Sequence, residues 1–144
     1  MAIVYFDSSA FVKLVVEEEG SDLAAELWDG CDAAVSSRLS YPEVRAALAA
    51  ARRNHDLTAR SLELAASTWE DFWNATRPVE LTREIEQRAG QLASELALRG
   101  TDAVHLASSL GIGTRDLVVA VWDRRLHAGA AAYDLRVAPA RLPG

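Results

Sequence analysis

Apolar residues fall in two kinds of run along the chain. Ala2-Ile3-Val4-Tyr5-Phe6 and Leu117-Val118-Val119-Ala120-Val121-Trp122 are short, continuous and rich in β-formers. Such runs are the mark of strands buried on both faces. Elsewhere the apolar positions recur at helical spacing. Leu62, Ala65, Ala66, Trp69, Phe72 and Trp73 define a helix from Leu57 to about Phe72, and Ile85, Ala89, Leu92 and Leu96 one from Thr82 to Arg99-Gly100. Ala10–Val16, Ser21–Trp28, Thr101–Leu110 and Arg124–Ala132 are shorter helical stretches, with Gly111 and Gly113 as stops. Ser40-Tyr41-Pro42-Glu43 opens a longer helix that runs to Arg52-Arg53-Asn54-His55. Its Ser-x-x-Glu spacing is that of a capping box, and the early Pro suits a first turn. Ala33–Ser37 is a short strand, Pro78–Leu81 a weak one and Leu135–Val137 a terminal edge strand. Strands alternating with helices imply an α/β fold with a largely parallel sheet covered on both faces.

Composition narrows the class. The 144 residues are 50% hydrophobic and 25% charged, in keeping with one globular domain. No apolar stretch is long enough to span a bilayer, and Asp7 and Lys13 interrupt the only N-terminal candidate for a signal segment, so a cytoplasmic location is expected. Cys31 is the single cysteine, which excludes an internal disulfide. The net charge of −6 argues against coating nucleic acid by bulk electrostatics, but not against a nuclease whose acids gather at a metal. Lys13 is the only lysine; every other basic residue is Arg, the better bidentate phosphate ligand.

The chemistry lies in carboxylates at element boundaries. Asp7 and Asp123 end the two clear strands, and Glu43 and Asp102 sit in first turns of helices. If the two strands are parallel neighbours, Asp7 and Asp123 emerge at the same C-terminal edge, where α/β sheets bind ligands. Each acid also has a structural reading, as an N-cap or a complement to a helix dipole. Four converging carboxylates would repel one another unless a hard cation such as Mg²⁺ or Mn²⁺ compensated them. Such an ion polarises phosphoryl oxygens and acidifies water, the chemistry of phosphodiester hydrolysis. His105, three residues after Asp102, reads as a hydrogen-bonded histidine near the core, with a ligand role as the alternative. Asp116 reads as a turn residue. Arg45, Arg52, Arg53, Arg124 and Arg125 read equally as phosphate contacts or solvated faces. Trp69, Phe72 and Trp73 read as core or, where exposed, as a groove for a partner helix.

Four segments carry a family resemblance: Val4-Tyr5-Phe6-Asp7-Ser8-Ser9-Ala10, Ser40-Tyr41-Pro42-Glu43-Val44, Arg99-Gly100-Thr101-Asp102-Ala103-Val104-His105-Leu106-Ala107 and Trp122-Asp123-Arg124-Arg125-Leu126. In this order they resemble the PIN-domain proteins, and among them the VapC-type toxin ribonucleases of bacterial toxin–antitoxin pairs. The resemblance spans the chain and implies a single PIN-like domain over residues 1–144. It implies a Mg²⁺- or Mn²⁺-dependent endoribonuclease with Asp7, Glu43, Asp102 and Asp123 as the acidic, metal-holding set. It also implies an antitoxin partner that occludes the site and a homodimer. Many relatives carry Thr or Ser two residues before the last aspartate; Val121 stands there instead, and Ser8 or Ser9 is the candidate to supply the hydroxyl. A non-catalytic PIN module that binds RNA or protein is the alternative reading. A DNA-directed nuclease would use the same site. A phosphoryl-accepting receiver is disfavoured, because the lysine it needs near a late strand is missing.

Overall fold

The computed structural model describes residues 1–143. Its centre is a five-stranded, all-parallel sheet in the order β3-β2-β1-β4-β5. The strands are β1 (Ile3–Phe6), β2 (Ala33–Ser37), β3 (Arg77–Val79), β4 (Leu117–Ala120) and β5 (Arg136–Ala138). The helices are α1 (Ser8–Val15), α2 (Ser21–Gly30), α3 (Ser40–Arg53), α4 (Ala59–Asn74), α5 (Arg83–Leu96), α6 (Gly100–Ile112) and α7 (Arg124–Ala132). No helix among the described residues is long and apolar enough to cross a membrane.

The chain winds from β1 outward through β2 to β3, then crosses to the other side of β1 for β4 and β5. Strand order therefore reverses between β1 and β4, which is where a doubly wound sheet opens a ligand crevice at its C-terminal edge. Ile3 to Phe6 pair in register with Leu117 to Ala120, so the residues that follow these strands leave the sheet side by side.

The two sheet faces bury different cores. One packs Tyr5, Val119 and Val121 against Leu92, Leu98, Leu106 and Leu126 of the α5–α6–α7 side. The other packs Val4, Phe6 and Ala120 against Phe11, Val44, Leu48 and Trp69 of the α1–α3–α4 side. Phe11 and Trp69 meet edge-on at 4.8 Å between ring centroids, and Trp28, Phe72, Trp73 and Tyr41 extend the cluster. Trp69 is fully buried, while Phe72 and Trp73 are half-buried against the core.

Two local expectations fail. Ser40 does not cap α3. The helix starts at Ser40 itself with Leu39 before it, and the Ser40 hydroxyl turns inward to Ser36 Oγ at 2.7 Å. Ser36 spends its own proton on the Phe6 carbonyl at 2.6 Å, so Ser40 is the donor of that pair. The serine pair pins the start of α3 to the end of β1. Arg99-Gly100 does not end α5 either. The left-handed residue there is Ala97 (φ 51°), and Arg99 precedes the first turn of α6.

Candidate active site at the sheet edge

The β1–β4 crevice is built from strand ends and helix starts. Asp7 follows β1 and caps α1: its Oδ1 accepts the Ala10 N–H at 3.0 Å. Asp123 follows β4 and caps α7, with Oδ1 accepting the Leu126 N–H at 3.0 Å. Asp102 and Glu43 stand in the first turns of α6 and α3. Asp116, by contrast, lies before β4 at the opposite edge, 3.7 Å from the chain's terminal amine, which bears out the turn reading.

Asp7 is buried, and burial pushes its carboxyl up to about 6. His105, the Ser9 hydroxyl and the Ala10 N–H draw it part of the way back, while the nearby charge of Asp123 adds to the rise. The Ser9 hydroxyl donates to Asp7 Oδ1 at 2.6 Å and accepts the Trp122 N–H at 2.9 Å, so it ties the two strand ends together. Val121 is fully buried among Tyr5, Leu98 and Leu126. A hydroxyl does reach this edge, from Ser9 in the first turn of α1.

In the sequence Arg99 reads as a helix stop and a member of a family segment, not as a site residue. Its Nε donates to Asp102 Oδ2 at 2.9 Å and its Nη2 to Asp123 Oδ2 at 3.2 Å. The bond to Asp102, then the charges of Asp102, Asp123 and Glu43, hold the guanidinium above its ordinary value. The i,i+3 spacing of Arg99 and Asp102 is the one signal that could have marked it. Arg99, Trp122, Asp123, Arg124 and Arg125 line an open cavity of about 600 Å³ at the mouth of the crevice.

Glu43 is taken up differently. Its Oε1 lies 2.6 Å from His105 Nε2, and His105 Nδ1 lies 2.7 Å from the Tyr5 hydroxyl. His105 is buried and hydrogen-bonded, as its position suggested. Arg99 thus bridges Asp102 and Asp123, Asp7 lies within reach of the Asp123 charge, and Glu43 faces His105. Among the described residues, no three Asp, Glu, His or Cys side chains close into a group that holds a metal as they stand. The reason is visible in the contacts: a guanidinium occupies the place between two of the acids, and an imidazole engages a third.

Comparison with known proteins fits this geometry. The model of the PIN domain matches residues 4–130, which takes in all four acids. The chain belongs to the PIN-domain family. Two curated members of that kind are each 70% identical to it over 142 residues, covering 99% of both chains: Ribonuclease VapC45 of Mycobacterium tuberculosis strain CDC 1551 / Oshkosh and Ribonuclease VapC49 of strain ATCC 25618 / H37Rv. Among solved structures, a toxin–antitoxin complex from Klebsiella pneumoniae shares the fold at 17% identity, with a TM-score of 0.67, over 99% of this chain and 100% of that one. The α/β architecture read from the alternating strands and helices and the PIN-like fold implied by the resemblance are therefore borne out.

Proposed function

We propose that this PIN-domain chain is an endoribonuclease toxin of VapC type, cutting RNA at the β1–β4 edge and silenced by a VapB-type antitoxin. The 70% identity to two ribonucleases over nearly the whole length supports the activity, and the solved toxin–antitoxin relative supports the partner. The observation that carries the site is the parallel pairing of β1 with β4 at the strand-order reversal, which brings Asp7 within reach of the Asp123 charge, with Asp102 joined to Asp123 through Arg99. The absence of a membrane-crossing helix among the described residues agrees with action in the cytoplasm.

The donor chemistry of the acids suits a divalent cation, although they do not close on one as they stand. All four offer hard oxygen donors, the kind Mg²⁺ and Mn²⁺ prefer. Asp7 carries the signature of a buried carboxylate with too little positive charge beside it. Arg99 already acts as a cation between Asp102 and Asp123. Asp7, Asp102 and Asp123 would hold the ion, with Glu43 beside them. When bound, a divalent cation stabilises charge on phosphoryl oxygens and acidifies water. The chain's own part is orientation. The Ala10 and Leu126 amides and the Ser9 hydroxyl fix the carboxylates of Asp7 and Asp123, and Arg99, Arg124 and Arg125 present guanidinium groups to phosphates at the crevice mouth.

The deciding experiment incubates purified chain and its Asp7→Asn variant with structured RNA and with single-stranded DNA, in Mn²⁺ and in EDTA. Cleavage of RNA by the parent alone, and only with Mn²⁺, is expected. RNA cleavage by the variant, free of host nucleases, refutes the site; cutting of DNA in preference to RNA refutes the substrate.

A further inference from the structure

Glu43, Tyr5 and the Ser37 backbone are joined through one buried histidine. The Ser37 N–H, at the end of β2, donates to the Tyr5 hydroxyl at 3.1 Å. The Tyr5 hydroxyl lies 2.7 Å from His105 Nδ1 and His105 Nε2 lies 2.6 Å from Glu43 Oε1. The chain of contacts crosses β2, β1, α6 and α3, and its inner members are shielded from water: Tyr5 is 0% and His105 2% exposed.

The polarity of these bonds follows from donor counting. The Tyr5 hydroxyl already accepts from Ser37, and its single proton must find an acceptor in a dry site. Among the described residues its other partner in hydrogen-bond geometry is His105 Nδ1; the Ser108 hydroxyl lies near enough to draw the phenol's pKa down but makes no bond of that geometry. Tyr5 therefore donates to Nδ1. The imidazole proton is then confined to Nε2, where it points at the Glu43 carboxylate. Burial also drives the Tyr5 phenol well above its usual range, which keeps it a donor at any pH of interest.

We propose that His105 is a positioning residue: held by Tyr5 as the Nε2–H tautomer, it fixes the Glu43 carboxylate at the acidic edge. The role of Glu43 at that edge rests on the function proposed above; the tautomer does not. Outer-sphere partners of this type orient carboxylates and imidazoles around reacting groups, and their loss typically lowers activity about 10- to 100-fold. His105 is then not the inert core residue that its burial suggests.

The test has one arm for each part. In the metal-free wild-type protein at mildly alkaline pH, long-range ¹H–¹⁵N correlations of the His105 ring are expected to show a proton on Nε2 and a bare Nδ1. An Nδ1–H ring in the wild type overturns the relay, whatever the site does. In RNA cleavage, His105→Leu is expected to lose kcat by about 10- to 100-fold with KM unchanged. His105→Gln, whose amide can again donate to Glu43, is expected to recover most of it. Denaturant midpoints establish that each variant is folded, and Tyr5→Phe gives a milder second perturbation if His105→Leu is not. If Glu43→Gln is fully active, the reading of the site fails. If Glu43→Gln is dead while folded His105→Leu and Tyr5→Phe both cleave at the parental rate, the positioning proposal fails alone.

Discussion

A buried carboxylate raised to about 6 makes the metal-free protein pay for its active site, and the cost is measurable. In the unfolded chain Asp7 titrates near 3.8; in the native state burial lifts it to about 6, with Asp123 adding to the rise and His105, Ser9 and Ala10 opposing it. Between these two values the native state binds more protons than the unfolded state, so stability falls as pH rises from about 4 to about 6 and stays low above that. At about 1.4 kcal/mol per pH unit, the gap amounts to at most about 3 kcal/mol at neutral pH. Asp7→Asn removes the charge but keeps a carbonyl oxygen to accept from Ser9 and Ala10. In EDTA the variant is expected to match the parent at pH 4 and to exceed its stability by up to about 3 kcal/mol at pH 7. For a chain of this size that is a melting temperature higher by roughly 6–12 °C. Urea titrations of both proteins across this pH range measure the difference. Added Mn²⁺ is expected to raise the melting temperature of the parent and not of the variant. A variant that is less stable than the parent at pH 7 in EDTA, or an offset that does not change with pH, refutes the electrostatic account of Asp7.

Three further outcomes are expected. Ser9→Ala strands the half-buried Trp122 N–H and loosens Asp7, so it is expected to lose about 1–3 kcal/mol in urea denaturation together with cleavage activity. Arg99→Gln removes the resident cation between Asp102 and Asp123, so calorimetric titration without RNA is expected to find tighter Mn²⁺ binding; unchanged or weaker binding contradicts the stand-in role. Trp69→Ala empties the centre of the aromatic cluster and is expected to cost about 3–5 kcal/mol of stability, read from the denaturant midpoint.

The frame of the site was legible because it follows from strand burial. A central parallel strand must be apolar on both faces, so β1 and β4 announced themselves, and an Asp closing each could only lie at the C-terminal edge. The edge strands β3 and β5 are three residues long, too short for periodicity to bound them well. The internal wiring was harder to read. Ser40-x-x-Glu43 has the spacing of a capping box, but each half has a stronger partner outside it: Ser36 just upstream for the serine and the distant His105 for the glutamate. Nothing in an alanine announces a left-handed turn, so the end of α5 at Ala97 was read two residues late and Arg99 was taken for a helix stop. Tyr5 was counted as a β-former in an apolar run. The clue it offered was that a buried phenol needs partners for its hydroxyl.

Cap and metal ligand were opposed readings of Asp7 and Asp123 in the sequence, but at the sheet edge one carboxylate serves both. In each residue Oδ1 accepts the first-turn amide of the following helix. The second oxygen of Asp123 meets Arg99, and that of Asp7 has no hydrogen-bond partner among the described residues. The cap fixes the side chain and leaves Oδ2 for the crevice, so the two functions can be separated by substitution. Ser is as good an N-cap as Asp but has one oxygen, not two. Asp123→Ser is therefore expected to keep α7 and stay within about 1 kcal/mol of parental stability, while losing RNA cleavage. Asp123→Ala is expected to lose both. Cleavage surviving in Asp123→Ser would mean that the capping oxygen alone suffices, and Asp123 would return to being only the start of a helix.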